Sequence, residues 1–165
     1  MTNWENIVYE KELVSAKNKR KNIYIEDKQR KIALKELEEE GWEYVRDYAN
    51  PKFIKVRKVK SYDEQFEDKV WLLFYQMGFS HLNKDRNFKM TYDYQNPLFT
   101  QQIDVFAADE ETILIVECKS ADRVKDGVFK KEIEALSGQM NGLRKTALKQ
   151  FPGRKVKFIW AVHNY

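Results

Sequence analysis

Residues 102–120 read QIDVFAADEETILIVECKS, and this stretch decides the fold. Two apolar, β-prone runs, 103–107 and 112–116, flank the short link Ala108-Asp109-Glu110-Glu111. That is the pattern of a β-hairpin. The second run is too apolar for a strand with one wet face, so it belongs in the middle of a sheet. It nevertheless ends in Glu117-Cys118-Lys119. Strand alternation puts Ile113, Ile115, Glu117 and Lys119 on one face and Cys118 on the other. Closing the hairpin around Asp109 and Glu110 sets Asp104 opposite Ile115 or, after a two-residue slip, opposite Glu117. Either register leaves the two carboxylates adjacent or diagonal on one face. Two acids so close are costly to bury unless a cation sits between them. Hard oxygen donors of this kind suit magnesium, with manganese as its substitute. A lysine two residues on can touch a phosphate or a metal-bound water.

Asp104, twelve intervening residues and then Glu117-x-Lys119 resemble the PD-(D/E)xK nuclease superfamily, over roughly residues 62–165. Ile103 stands where many members carry a proline. A second match lies upstream. Phe66-Glu67 followed by Gly78-Phe79 looks like the first helix of the Holliday-junction-resolvase-type members, where a glutamate at this offset completes the metal site. The run with its terminal His163-Asn164-Tyr165 also looks like nuclease-like domains of DGQHR-motif proteins found near DNA-modification systems. The resemblance implies a restriction-endonuclease-like αβββαβ core, a central mixed sheet flanked by helices. It implies a Mg²⁺-dependent endodeoxyribonuclease that hydrolyses phosphodiester bonds. The metal would be held by Asp104, Glu117, the backbone carbonyl of Cys118 and Glu67. Lys119 would orient water or stabilise developing charge, and Gln139 would position the water. DNA is then the partner. A homodimer is reasonable because double cuts need two active sites, and a fused or partner DNA-modification module also fits.

Bland readings stand beside these. Glu67 borders the apolar stripe of its helix, as a solvated helix acid does. Gln139 lies at the edge of another stripe, where a border residue bonds to solvent. Glu117 and Lys119 could be a structural ion pair in a binding or protein-interaction module that does not cleave.

The 165 residues suffice for one domain with a real core and a small appendage. At 42% hydrophobic and 34% charged, the composition is that of a folded chain. No stretch reaches the length of a membrane span and no signal peptide is seen, so no membrane partner is expected. One cysteine excludes an internal disulfide, which points to a cytoplasmic protein. One cysteine and two histidines argue against a Cys/His zinc site.

The net charge of +4 is uneven. Residues 1–60 hold 15 basic and 11 acidic residues, and residues 61–165 hold 15 of each. The chain is therefore read as a basic α/β extension, residues 1–60, before a nuclease-like domain, residues 61–165. In the extension, residues 4–20 read as a helix with a basic end or as a loosely held arm, a helix is expected over 28–40, and strands over 42–48 and 53–59. Lys55 and Arg57 share a face of the last strand. They could run along a nucleic-acid backbone, or protect an edge strand from aggregation. Beyond it, the spacing of Phe66, Val70, Leu73, Phe74 and Met77 predicts a helix over 62–77, closed by Gly78. A strand is expected over 87–94, then the hairpin and a polar connection at 120–127. A helix over 128–150 follows, where Gly138 and Gly142 would allow close packing. A buried strand over 156–162 comes last.

Overall fold

The computed structural model describes residues 1–121 and 129–164, apart from the side chain of Phe129. The expected connection at 120–127, from residue 122 on, and the terminal Tyr165 lie outside the described residues. In chain order the elements are β1 (Ile7–Tyr9), α1 (Glu10–Lys21), β2 (Tyr24–Arg30), α2 (Leu34–Glu39), β3 (Glu43–Asp47), β4 (Phe53–Val59), α3 (Tyr62–Gln76), β5 (His81–Asn83), β6 (Lys89–Thr91), β7 (Thr100–Gln102), β8 (Val105–Ala108), β9 (Thr112–Ser120), α4 (Phe129–Gln150) and β10 (Lys155–His163).

The chain divides into two compact units, residues 22–61 and the remainder. The smaller unit ends at residue 61, and the sequence had placed a boundary after residue 60. Residues 1–21, read as part of the extension, instead belong to the larger unit. The reason is in their side chains: Trp4 packs edge-on against Phe106 and Phe151, and buried Arg20 pairs with Asp68 at 3.0 Å. The expected helix over 4–20 is accordingly shorter, because residues 7–9 pair antiparallel with β5.

In the larger unit the sheet order is β1-β5-β8-β9-β10. The β8–β9 pair is antiparallel and β9–β10 is parallel, so the sheet is mixed. The fold is α/β. Leu114, Val116 and Cys118 of β9 pack with Leu13 and Ala16 of α1 and with Val70, Trp71 and Phe74 of α3. Ile113 and Ile115 pack on the other face with Leu136, Leu143 and Ala147 of α4. The strict alternation along β9 thus separates two helical layers. Among the described residues, no helix is long and apolar enough to cross a membrane.

Two local expectations change. The strand read over 87–94 shrinks to β6, which pairs only with β7 in a side hairpin; β5, with three residues, takes its place in the main sheet. Leu73 on α3 and Met77 just past its end are exposed, and the buried face of the helix is Asp68, Val70, Trp71 and Phe74. Gly78, at φ 92°, closes that helix as read. Gly142 packs so closely that an added Cβ would lie 1.7 Å from the Tyr92 carbonyl oxygen, whereas Gly138 has open space.

In the smaller unit the order is β2-β4-β3, all antiparallel. The helix read over 28–40 keeps only its second half. Residues 24–30 are a strand because each finds a partner on β4, and such pairing overrides local propensity. Ile54 and Val56 pack with Leu37, Ile32 and Trp42.

Candidate functional site

The site grows from the β8–β9 hairpin. Its turn is two residues long: the Asp109 N–H donates to the Thr112 carbonyl at 3.0 Å. The Asp109 carboxylate in turn accepts from the N–H groups of Glu111 and Thr112, at 2.9 and 2.7 Å. This turn fixes the register at Val105 opposite Val116. Continuing the ladder by one residue sets Asp104 opposite Glu117, the second of the two registers open to the sequence. There the chain leaves the strand, and Asp104 Oδ2 accepts the Cys118 N–H at 2.7 Å.

Asn83 holds that departure in place and was not singled out in the sequence. Fully buried, it donates through Nδ2 to the Asp104 carbonyl at 3.1 Å and accepts the Phe106 N–H at 2.9 Å. Its own carbonyl takes the Trp71 indole N–H at 2.8 Å. A buried amide that spends its donors and acceptors on backbone fixes the backbone.

Lys119 lies on the Glu117 side, with Nζ 3.2 Å from Glu117 and 3.8 Å from Glu132 of α4. Glu117, Lys119, Glu132 and Gln139 line a cleft of about 210 Å³ with Gln101 and Trp160. The buried Oε1 of Gln139 has no hydrogen-bond partner among the described residues. Gln139 therefore shares a cleft with two of the residues it was grouped with.

Glu67 is engaged differently. Arg86, also not singled out in the sequence, donates from Nε to Glu67 at 3.0 Å. From Nη2 it donates to Asp68 at 2.6 Å and to the Glu64 carbonyl at 2.8 Å. Arg20 donates to the same Asp68 oxygen, Oδ1, at 3.0 Å, its guanidinium 5.6 Å from the Trp71 ring centre.

The electrostatics follow from burial and crowding. Burial and then the charge of Asp104 push Glu67 up from an ordinary 4.5 to about 7, against the pull of Arg86. Burial raises Asp104, although the Cys118 N–H opposes it. Burial and Asp104 raise Glu117, with Lys119 opposing. Burial and the same three carboxylates push the Cys118 thiol up, which makes it a poor nucleophile and fits its reading as a small hydrophobe. Burial lowers Lys119, but Glu117 and Glu132 outweigh it and the net shift is upward, so the ammonium stays charged.

Besides burial, the charge of Asp104 raises both Glu67 and Glu117, while Lys119, Arg20 and Arg86 pull Asp104 itself down; carboxylate oxygens are the donors a hard divalent cation takes. Asp104 and Glu117, opposite each other by the register, carry such oxygens. Glu67 is occupied by Arg86, and among the described residues no group of three or more His, Cys, Asp or Glu is arranged to hold a metal. Lys55 and Arg57 lie in the other unit, where they pair with Glu26 at 2.9 Å and Glu43 at 3.0 Å.

Compared with known proteins, the chain matches no protein-family model, no curated protein and no solved structure.

Proposed function

We propose that this protein is a cytoplasmic, metal-dependent DNA endonuclease with a restriction-endonuclease-like core. One observation carries the reading: Asp104 is tied to the Cys118 N–H at 2.7 Å, one ladder step from Glu117, with Lys119 beside it over an open cleft. Asp104, Glu117 and the Cys118 carbonyl would hold Mg²⁺, or Mn²⁺ in its place, and Glu67 would complete the shell through water. Such an ion, if held there, would supply charge neutralisation at the scissile phosphate and would lower the pKa of an attacking water. Lys119 brings a permanent positive charge to the phosphate as it gains negative charge. Gln139 offers a free acceptor to orient the water. A homodimer would supply two such sites for a double cut, and a fused or partner DNA-modification module suits the same role.

The test is plasmid cleavage with Mg²⁺ or Mn²⁺ by the wild type, Asp104→Ala and Lys119→Ala. Nicking by the wild type alone is the expected result. Nicking that survives both changes removes these residues from the chemistry.

A second reading is a non-cleaving DNA-binding or protein-interaction module. It is favoured by the closure of Lys119 between Glu117 and Glu132 and by the Arg86 clamp on Glu67. Calorimetric titration with Mn²⁺ separates the two. Heat that vanishes in Asp104→Ala and Glu117→Ala supports the enzyme, and its absence in the wild type supports the silent module.

A further inference from the structure

The 22–61 unit carries a sheet face that the candidate site does not use. Ile54 and Val56 of β4 point to the α2 side, so Phe53, Lys55 and Arg57 point to the opposite one. The register fixes their neighbours. Lys28 and Arg46 flank Lys55, Glu26 and Glu43 flank Arg57, and Arg30 flanks Phe53. Tyr48 adjoins Phe53, its N–H donating to the Phe53 carbonyl at 3.2 Å.

This face sets five cations against two acids. Cations on a sheet often keep an edge from pairing with another chain, and the sequence left that role open for Lys55 and Arg57. The topology removes it, because β4 is the central strand and both its edges are already paired. Ion pairing within the face does not absorb the charge either. Glu26 and Glu43 take Lys55 and Arg57, which leaves Lys28, Arg30 and Arg46 in surplus. These three are exposed.

Rings lie among the cations. Lys28 Nζ is 4.9 Å from the Tyr48 ring centre and 4.7 Å from that of Phe53. The Arg46 guanidinium is 5.1 Å from Tyr48, and that of Arg57 is 4.1 Å from Tyr24.

We propose that this face binds single-stranded DNA, with phosphates on the surplus cations and unstacked bases on the rings and guanidinium planes. The surplus charge asks for a polyanion. The rings choose among polyanions, since only a partner with exposed π-faces gains from them. A duplex keeps its bases stacked inside, and its major groove admits a protruding helix or ribbon rather than a broad face. The two carboxylates that would accept a ribose 2′-OH are engaged by Lys55 and Arg57, so nothing on the face rewards RNA over DNA. This binding is independent of phosphodiester cleavage.

The experiment is fluorescence anisotropy on the full chain in EDTA, with labelled oligo(dT), oligo(U) and a duplex of equal length. Oligo(dT) is expected to bind at least tenfold more tightly than the duplex. The double change Lys28→Glu, Arg46→Glu should weaken it at least tenfold and reduce the salt slope by about 1.4, for two contacts at about 0.7 each. Tyr48→Leu should weaken it at least about fivefold. Lys145→Glu, a charge reversal at an exposed position of α4 in the other unit, should bind as the wild type does. Should the charge-reversed protein fail to fold by circular dichroism, Lys28→Ala, Arg46→Ala carries the same expectation for the salt slope. Duplex binding as tight as oligo(dT), tighter binding of oligo(U), an unchanged salt slope, or a tenfold loss of binding in Lys145→Glu overturns the proposal.

Discussion

The Cys118 backbone N–H donates to Asp104 Oδ2 at 2.7 Å, so the acid that faces Glu117 also ties the start of β8 to the end of β9. Removing it leaves a partly buried donor without a partner. Asp104→Ala should cost about 1–3 kcal/mol in urea unfolding. Asp104→Asn retains an oxygen acceptor and should cost less. Equal losses in the two variants would show that this bond does not brace the hairpin.

Lys119 is the opposite case. Its side chain is 27% exposed, and half-solvated ion pairs contribute little, roughly 0–1 kcal/mol. Lys119→Ala should unfold within about 1 kcal/mol of the wild type while plasmid nicking falls at least about 100-fold. A matching loss of stability and activity would make it a structural residue.

Glu67 makes folding sensitive to pH. Its value rises from 4.5 when unfolded to about 7 when folded, so between those pH values the folded chain holds the extra proton. Stability therefore falls as pH rises from about 4.5 to 7. Glu67→Gln should flatten that fall when urea midpoints are compared at pH 5 and pH 8. Mn²⁺ should also reduce it, since a cation near Asp104 relieves the same repulsion. An unchanged slope in Glu67→Gln would assign the sensitivity elsewhere.

Gly142 and Gly138 form a matched pair on one helix. Gly142→Ala drives a methyl onto the Tyr92 carbonyl and should lower the melting temperature markedly. Gly138→Ala meets nothing within 4 Å and should stabilise by roughly 0.5–1 kcal/mol through helix propensity. Differential scanning calorimetry of both variants checks the contrast.

The buried cation Arg20 faces Asp68 with side-chain exposures of 3% and 5%. Arg20→Met takes one cation from that carboxylate while Arg86 stays at 2.6 Å, and should cost about 3–5 kcal/mol, read by urea unfolding. A loss under 1 kcal/mol would mean that Arg86 compensates fully.

The hairpin, both long helices and the position of the last strand were legible because their signals are local: an uninterrupted apolar run, an apolar stripe at helical spacing, a glycine stop. That strand was expected to be buried, but β10 is the sheet edge and none of its residues is buried. So was the grouping of Asp104, Glu117 and Lys119, which strand alternation nearly dictates. Asn83 and Arg86 were not legible. Each acts by reaching residues far along the chain, and nothing in the motif spacing marks a buried amide or a clamping guanidinium. The α3 stripe misled for a related reason. Asp68 counts as polar in any periodicity, yet Arg20 and Arg86 neutralise it and rotate the buried face toward it. β1 and β5 have three residues each, too short for alternation to register.

The hairpin link spans two residues, whereas β1 must find β5 across most of two helices and the whole 22–61 unit. Loop closure therefore orders assembly in time: β8 and β9 are expected to meet first and β1 to dock among the last. Until it does, the outer rim of β5 stands open to a neighbouring chain. A cut after Tyr9 would make that brief vulnerability permanent, and the protein would then be expected to self-associate rather than merely melt sooner.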